Sequence, residues 1–470
     1  MSAPIIFEPV AAFAALGPQF SDPVQAAKFP RTQVRWRNER WAQAIGLGAL
    51  DAGAFERHFA LFEPLPDYTA PPLAMRYHGH QFGVYNPDLG DGRGFLFAQA
   101  RAPDGRVLDL ATKGSGQTPW SRRGDGRLTL KGAVREILAP QMLEALGVTT
   151  SKPFAVFETG EALQRNDEPS PTRSAVLTRL GHSHVRFGAF QRLAYLDQPD
   201  AMRRLVAHCA EIYYPDLGDL EGDAQVAGLF ARVTGANVTL CATWMAAGFV
   251  HGVLNTDNMN VTGESFDYGP WRFLPKSDPA FTAAYFDEQG RYAFGRQPEA
   301  LAWNLTRLAE AFATICPAPL LEETLASIAA LYRRALRDAV FARLAIEPSD
   351  MEADLKVLSA LFGWMTTSGV GWGQFFHDWF AGEASAQRAL ESPQASHYRD
   401  AEFAPVRDHI TARKPVRPER LAHAVLQASA PPQLLIDDVE ALWRPITDDD
   451  DWSLFERKIA EIDALRCALA

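Results

Sequence analysis

Apolar positions change period along the 470 residues, and the change separates a strand-rich first part from a helix-rich second part. Residues 1 to about 75 are rich in proline and aromatics, with short helical patterns such as Trp41 to Leu50; they read as an arm wrapped around the remainder. Arg106 to Lys113 (RVLDLATK) alternates as a strand, and Phe154 to Phe157 and Ala175 to Arg179 predict two more. Between them, Gly132 to Leu146 sets Val134, Ile137, Leu138, Leu143 and Leu146 on one helical stripe and leaves Glu136 to face inward. Pro140 removes a backbone bond there and predicts a kink just beyond Glu136. Gln225 to Phe249 predicts a long, mostly apolar helix, softened at Gly235, that delivers the chain to a polar loop. In that loop Asn258 to Thr262 alternates as a short strand, and a hairpin would return Asp267 towards Asp257. After Trp271, amphipathic stretches near 297–316, 319–345 and 350–364 begin a helical region reaching the C-terminus, and the polar stretch 382–400 reads as a connection.

This pattern predicts an α+β protein in four parts: an arm over 1–75, a strand-rich lobe over 76–200, a helical lobe with a polar loop over 201–320, and a helical region over 321–470. The length alone suggests roughly two to four subdomains. Hydrophobic residues at 47% and charged residues at 22% suit a globular chain with a core. A net charge of -11 argues against nucleic acid or an anionic membrane as a general partner, so any phosphate site is a local pocket. The first 20 residues lack a basic leader, and no stretch is expected to span a bilayer, which predicts a cytoplasmic protein. Four scattered cysteines, Cys209, Cys241, Cys316 and Cys467, indicate neither a zinc site nor a disulfide framework. Cys467, near the end, is either an incidental thiol or a redox group.

The candidate chemistry lies in the polar loop, FVHGVLNTDNMNVTGESFDYGPW. Asp257 and Asn258 stand side by side, and Asp267 opens an Asp-Tyr-Gly triplet ten residues on. Protein kinases use related groups: an Asp for the hydroxyl proton, an Asn for magnesium, and a later Asp-Phe-Gly aspartate for the metal on the phosphates. An ordinary Asn/Asp turn is the plainer alternative. Upstream, LGDGRG offers Gly90, Gly92 and Arg93 as a phosphate-approaching loop or as a tight hairpin turn. Lys113 ends its strand like a phosphate lysine, with Glu136 as its ion-pair partner, unless the two form a surface salt bridge. Asp125 and Gly126 lie among arginines in SRRGDGR, a second loop able to touch nucleotide. Arg179 and Arg186 are spaced to converge on one anion, or else are solvated.

Taken together, YHGHQFG, LGDGRG, KGSGQTPWSRRGDGR, REIL, VLTRLGHSHVRFG, the loop above and GRYAFGRQPEALAWNLTRLA resemble the selenoprotein O (SelO, YdiU) family across most of residues 1–320. The resemblance implies a protein-kinase-like two-lobed fold that binds ATP in a flipped orientation and transfers AMP to Ser, Thr or Tyr hydroxyls of proteins, with Mg2+ or Mn2+. It implies Asp257 as the base and Asn258 and Asp267 as metal ligands. Gly90, Gly92, Arg93, Lys113, Asp125, Gly126, Arg179, Arg186 and Asp267 would contact the nucleotide, supported by Glu136. A kinase-like phosphotransferase using the same residues is the alternative. Two departures stand out: Pro140 lies in the Glu-bearing helix, and Cys467, which matches the family's terminal selenocysteine or cysteine, has no thiol partner in LPKSDPAFTAAYFDEQG after Asp267.

Overall fold

Residues 5–166 and 168–470 are described by the structure, a computed structural model. The first part lays down β1 (Pro9–Val10), β2 (Ser21–Pro23), β3 (Gln33–Arg37), helices α1 (Glu39–Ala44) and α2 (Ala52–Phe59), and β4 (Leu73–Met75). A hairpin of β5 (Gly79–Gln81) and β6 (Val84–Asn86) follows, then β7 (Leu96–Arg101), β8 (Val107–Lys113) and β9 (Leu128–Thr129). Helix α3 (Leu130–Ala145) precedes the long strands β10 (Lys152–Leu163) and β11 (Thr172–Gly181). One antiparallel sheet runs β2-β4-β7-β8-β11-β10-β3, with β1 on β7 and β9 on β11. The expected arm therefore also supplies strands. β3 pairs with β10 through Ala155↔Arg37, and β2 with β4 through Asp22↔Ala74.

The aromatics of the first 75 residues explain that docking. Phe55, Phe59 and Phe62 are buried against Phe97, Phe154 and Phe157 of the sheet and against Phe95 just before β7. Each such ring, fully buried, contributes about 1.5–3 kcal/mol. The helix expected over Trp41 to Leu50 is instead Glu39–Ala44. Asn38 caps it by accepting from the Trp41 N–H at 3.2 Å, and Gly46 ends it at φ 80, so close to the Phe7 nitrogen that no side chain fits. Every residue of β8 is buried, because the sheet is covered on both sides.

The second part continues with α4 (Phe187–Tyr195), α5 (Pro199–Tyr213), α6 (Gly222–Ala247), β12 (Phe249–Val250), β13 (Arg272–Phe273), α7 (Gln297–Phe312), α8 (Ala318–Leu344) and α9 (Met351–Ser368). Helix α6 passes Gly235 without a break. Its 26 residues are long and apolar enough to cross a bilayer by length and composition, which corrects the expectation that no stretch would be. Leu229, Phe230, Val233 and Trp244 of this helix are buried in the largest core cluster. The polar stretch 382–400 is also more than a connection: it holds turns of helix at Ala386–Glu391 and Ala395–Tyr398, and Tyr398 is fully buried. The last helix, Ser453–Leu469, packs on α3, and Asp450 just before it binds Arg35 and Arg173, which share Glu158.

Candidate active site

Helix α6 ends at Gly248, in the left-handed region at φ 67, where a Cβ would strike the Trp372 indole at 2.6 Å. The chain then enters β12, which pairs with β13 through Phe249↔Phe273 and Val250↔Arg272. This ladder closes the base of the loop 251–271. The strand expected over Asn258 to Thr262 does not form: Thr256–Asn258 is a 3₁₀ turn, and Asn260 makes only an isolated bridge with Arg186. The alternation has another cause. Met259 and Val261 are sunk into the core, while the Asn260 amide donates to the Ser183 carbonyl and accepts from the Glu264 N–H.

Within the loop the two aspartates meet opposite surroundings. Asp267, at φ 58, accepts from Arg179 Nη1 through Oδ1 and from Arg186 Nη1 through Oδ2, each at 2.5 Å, with Lys113 Nζ 3.6 Å away. Burial raises the pKa of this carboxyl, but Arg179, Arg186 and Lys113 together hold it well below the usual carboxylate range. Asp257 is buried too, and burial pushes its carboxyl up to about 6; Arg186 opposes the shift and Asp267 adds to it. Its Oδ1 has no hydrogen-bond partner. Arg186 ties the two together, donating to the Asp257 carbonyl at 2.6 Å and to Asp267.

Lys113, at the end of β8, is ion-paired with Glu136 of α3, and both are buried. The α3 helix runs through Pro140 to Ala145, so the proline does not prevent the pair. Burial lowers the Lys113 pKa, with Glu136 and Asp267 opposing and the charge of Arg93 adding to the shift. Arg179 and Arg186, 5% exposed each, are not solvated surface groups; their guanidiniums lie 5.2 and 4.8 Å from the centre of the Phe266 ring.

The glycines of LGDGRG have packing reasons. A Cβ on Gly90 would meet the Trp120 ring at 2.4 Å, and one on Gly92 the Trp120 carbonyl at 2.8 Å. Trp120 is anchored by its Nε1 on Asp22. Gly126, at φ 70, fits against Gly116 at a distance no side chain tolerates. Asp125 is paired with Arg165 at 2.8 Å and accepts from the Arg127 N–H, so local partners hold its loop. Asn258 uses its Nδ2 on the Val253 carbonyl at 2.9 Å, which leaves the amide oxygen as its open group.

Several members of the site escaped the sequence reading. Asp91, between the two glycines, lies 3.7 Å from Arg186 and accepts from the Met75 N–H; burial pushes it up to about 6. Behind Arg179, Asp109 accepts from the His184 N–H at 2.8 Å and from its Nδ1 at 3.2 Å, and His184 Nε2 accepts from Arg179 Nε at 3.1 Å. Burial lowers the His184 pKa, which favours the neutral ring that such an acceptor role needs. Asp91 and His184 stand in motifs already singled out, LGDGRG and VLTRLGHSHVRFG, whereas Asp109 carries no local signal.

Among known proteins, residues 5–463 match the family described as protein adenylyltransferase SelO. A protein nucleotidyltransferase YdiU of Synechococcus elongatus is 41% identical over 473 residues, 96% of this chain and 93% of the relative. The protein of that name from Synechocystis is 40% identical over 479 residues, 98% of each chain. One from Pseudomonas putida is 41% identical over 322 residues, 68% of this chain and 65% of the relative.

Proposed function

The chain belongs to the SelO family of protein adenylyltransferases and is an ATP-dependent nucleotidyltransferase, and from that premise we propose that it moves AMP from ATP onto Ser, Thr or Tyr hydroxyls of proteins and releases pyrophosphate. The observation that carries the reading is the pair of aspartates. Asp257 offers an unpartnered, buried carboxylate oxygen with a pKa of about 6, suited to take a proton at neutral pH. Asp267 is surrounded by the cations that a triphosphate needs.

In the proposed reaction the acceptor oxygen attacks the α-phosphorus, the bond to pyrophosphate breaks, and the hydroxyl proton passes to Asp257. Arg179, Arg186 and Lys113 bind phosphate oxygens and stabilise the leaving pyrophosphate. Arg93 and the backbone at Gly90, Gly92 and Gly126, with Asp125, complete the nucleotide contacts. A divalent cation, Mg2+ or Mn2+, fits the donors present: the open amide oxygen of Asn258 and the carboxylate of Asp267 are hard oxygen ligands, and phosphates complete such a shell. Among the described residues no cluster of three or more His, Cys, Asp or Glu competes for it. Bound, the cation would neutralise phosphate charge. The same reading extends to a kinase-like, two-lobed arrangement with boundaries near residues 76, 201 and 321 and with ATP in the flipped orientation.

The test is label transfer. ATP radioactive at the α-phosphate should label protein hydroxyls in the presence of magnesium, and ATP radioactive at the γ-phosphate should not. The reverse pattern would make the enzyme a phosphotransferase.

A further inference from the structure

The β5–β6 hairpin has no part in the chemistry above, yet it is fastened to the catalytic loop. A Cβ on Gly79 would meet Asp257 Cβ at 3.2 Å and Oδ1 at 3.3 Å. The His80 N–H donates to Thr256 Oγ1 at 2.7 Å, and the Phe82 N–H donates to Asn255 Oδ1 at 3.0 Å. The Tyr292 hydroxyl donates to the same Asn255 oxygen at 2.8 Å, and its ring lies 5.0 Å from that of Phe82. Phe82 takes a left-handed φ of 50, a strain that persists only where the surroundings impose it and that gathers at functional sites. A rim of large apolar side chains stands in the open here. Phe82 is 37% exposed and Val84 71%; Phe286, 5.8 Å from Phe82, is 47% exposed, and its neighbour Tyr285 is 85% exposed. Apolar residues scattered singly need no explanation, but a contiguous group beside a catalytic carboxylate does.

We propose that this rim is the docking surface for the acceptor protein and takes an apolar side chain that flanks the modified hydroxyl. The proposal rests on the protein-adenylylating function above and names the acceptor segment it prefers. An acceptor hydroxyl must come within about 2.6–3.2 Å of an Asp257 oxygen. Gly79 packs against the Asp257 side chain, so the hairpin and its rim flank the carboxylate that the acceptor hydroxyl must reach. Phe82 is three residues from Gly79, at most about 10 Å of extended chain, which an acceptor spans with two to four residues. The preferred acceptor therefore carries a Leu, Ile, Phe or Met two to four residues from its Ser, Thr or Tyr.

Two fluorescent peptides test this, one with leucines three residues either side of a serine and one with glycines there. With magnesium and ATP present, anisotropy should show the leucine peptide binding about tenfold more tightly, as burial of one or two aliphatic side chains allows. The variant V84S/Y285S/F286S should abolish that preference while its ATP affinity by calorimetry stays unchanged. Equal binding of both peptides, or a preference that survives in the variant, would overturn the proposal. So would a change in oligomeric state of the variant with peptide binding intact, because the rim would then join two copies of the chain. Label transfer is followed in the same samples. Variant-sensitive binding with no α-phosphate transfer would strike the adenylylation reading and leave the surface standing.

Discussion

Asp257 and Asp267 are ten residues apart on one loop and both buried, yet the protein treats them oppositely. Asp267 has three cations around it and is held as a carboxylate. Asp257 has one oxygen without a partner and is pushed up to about 6. Burial disfavours charge at both positions, so the difference comes from where Arg179, Arg186 and Lys113 put their charged ends. Two acids whose environments pull them apart divide the work of a reaction: one stays charged, and the other exchanges protons near neutral pH.

The contrast is broken most severely at Asp267. Asp267→Ala should lower label transfer by at least ~10³-fold and remove the magnesium dependence of ATP binding. It should also destabilise the ligand-free protein by about 3–5 kcal/mol, because Arg179 loses its carboxylate partner and the buried Arg186 and Lys113 keep only Asp91 and Glu136. Calorimetry with and without magnesium, and thermal unfolding, read these effects. Intact metal dependence would refute the assignment.

Asp257→Asn should slow transfer by ~10²–10³-fold while ATP affinity stays within about twofold. Its effect on stability has the opposite sign to that of Asp267→Ala. The folded carboxyl titrates at about 6 against an ordinary 3.8, so the native state holds the extra proton between those values, and stability falls as pH rises through that window. Asparagine stays neutral, so at pH 7 the variant should be more stable by up to about 3 kcal/mol. A lower Tm than the parent at pH 7 would contradict this. The rate of the parent should itself rise with pH through about 6. Asp91→Asn should leave that limb in place; if the limb disappears, the titrating group is Asp91, which burial also raises to about 6.

A milder blow falls behind Arg179. His184→Leu removes the acceptor of Arg179 Nε and should slow transfer about tenfold through weaker ATP binding. His184→Gln, which keeps an acceptor, should recover most of the loss, and no recovery would mean that the histidine only fills space. Cys467→Ser should change nothing. Cys467 is exposed, while Cys209, Cys241 and Cys316 are buried, and non-reducing peptide mapping should find all four as thiols.

The elements that the sequence disclosed were those whose signal is local. Strand β8 ends on Lys113 where the alternation said, and α3 presents Glu136 despite Pro140. The convergence of Arg179 and Arg186 was readable as a spacing, but their anion, Asp267, lies 88 and 81 residues away. The strand expected at Asn258 to Thr262 failed because an alternating pattern reports which residues are buried, not which backbone they pair with. Met259 and Val261 are buried in the core without a ladder. The roles of Asp109 and of His184, which stands in VLTRLGHSHVRFG, were invisible because they lie only in contact across 75 residues.

The ion pairs on Asp267 carry a thermodynamic consequence. In the ligand-free site this carboxylate occupies the guanidiniums that ATP would use, and the guanidiniums occupy the carboxylate that a cation would use. Either ligand arriving first must displace a bond and leaves its former partner free for the other. Under the proposed function nucleotide and cation should therefore be positively cooperative, and reciprocity would require ATP to tighten the cation's binding by the same factor by which the cation tightens ATP.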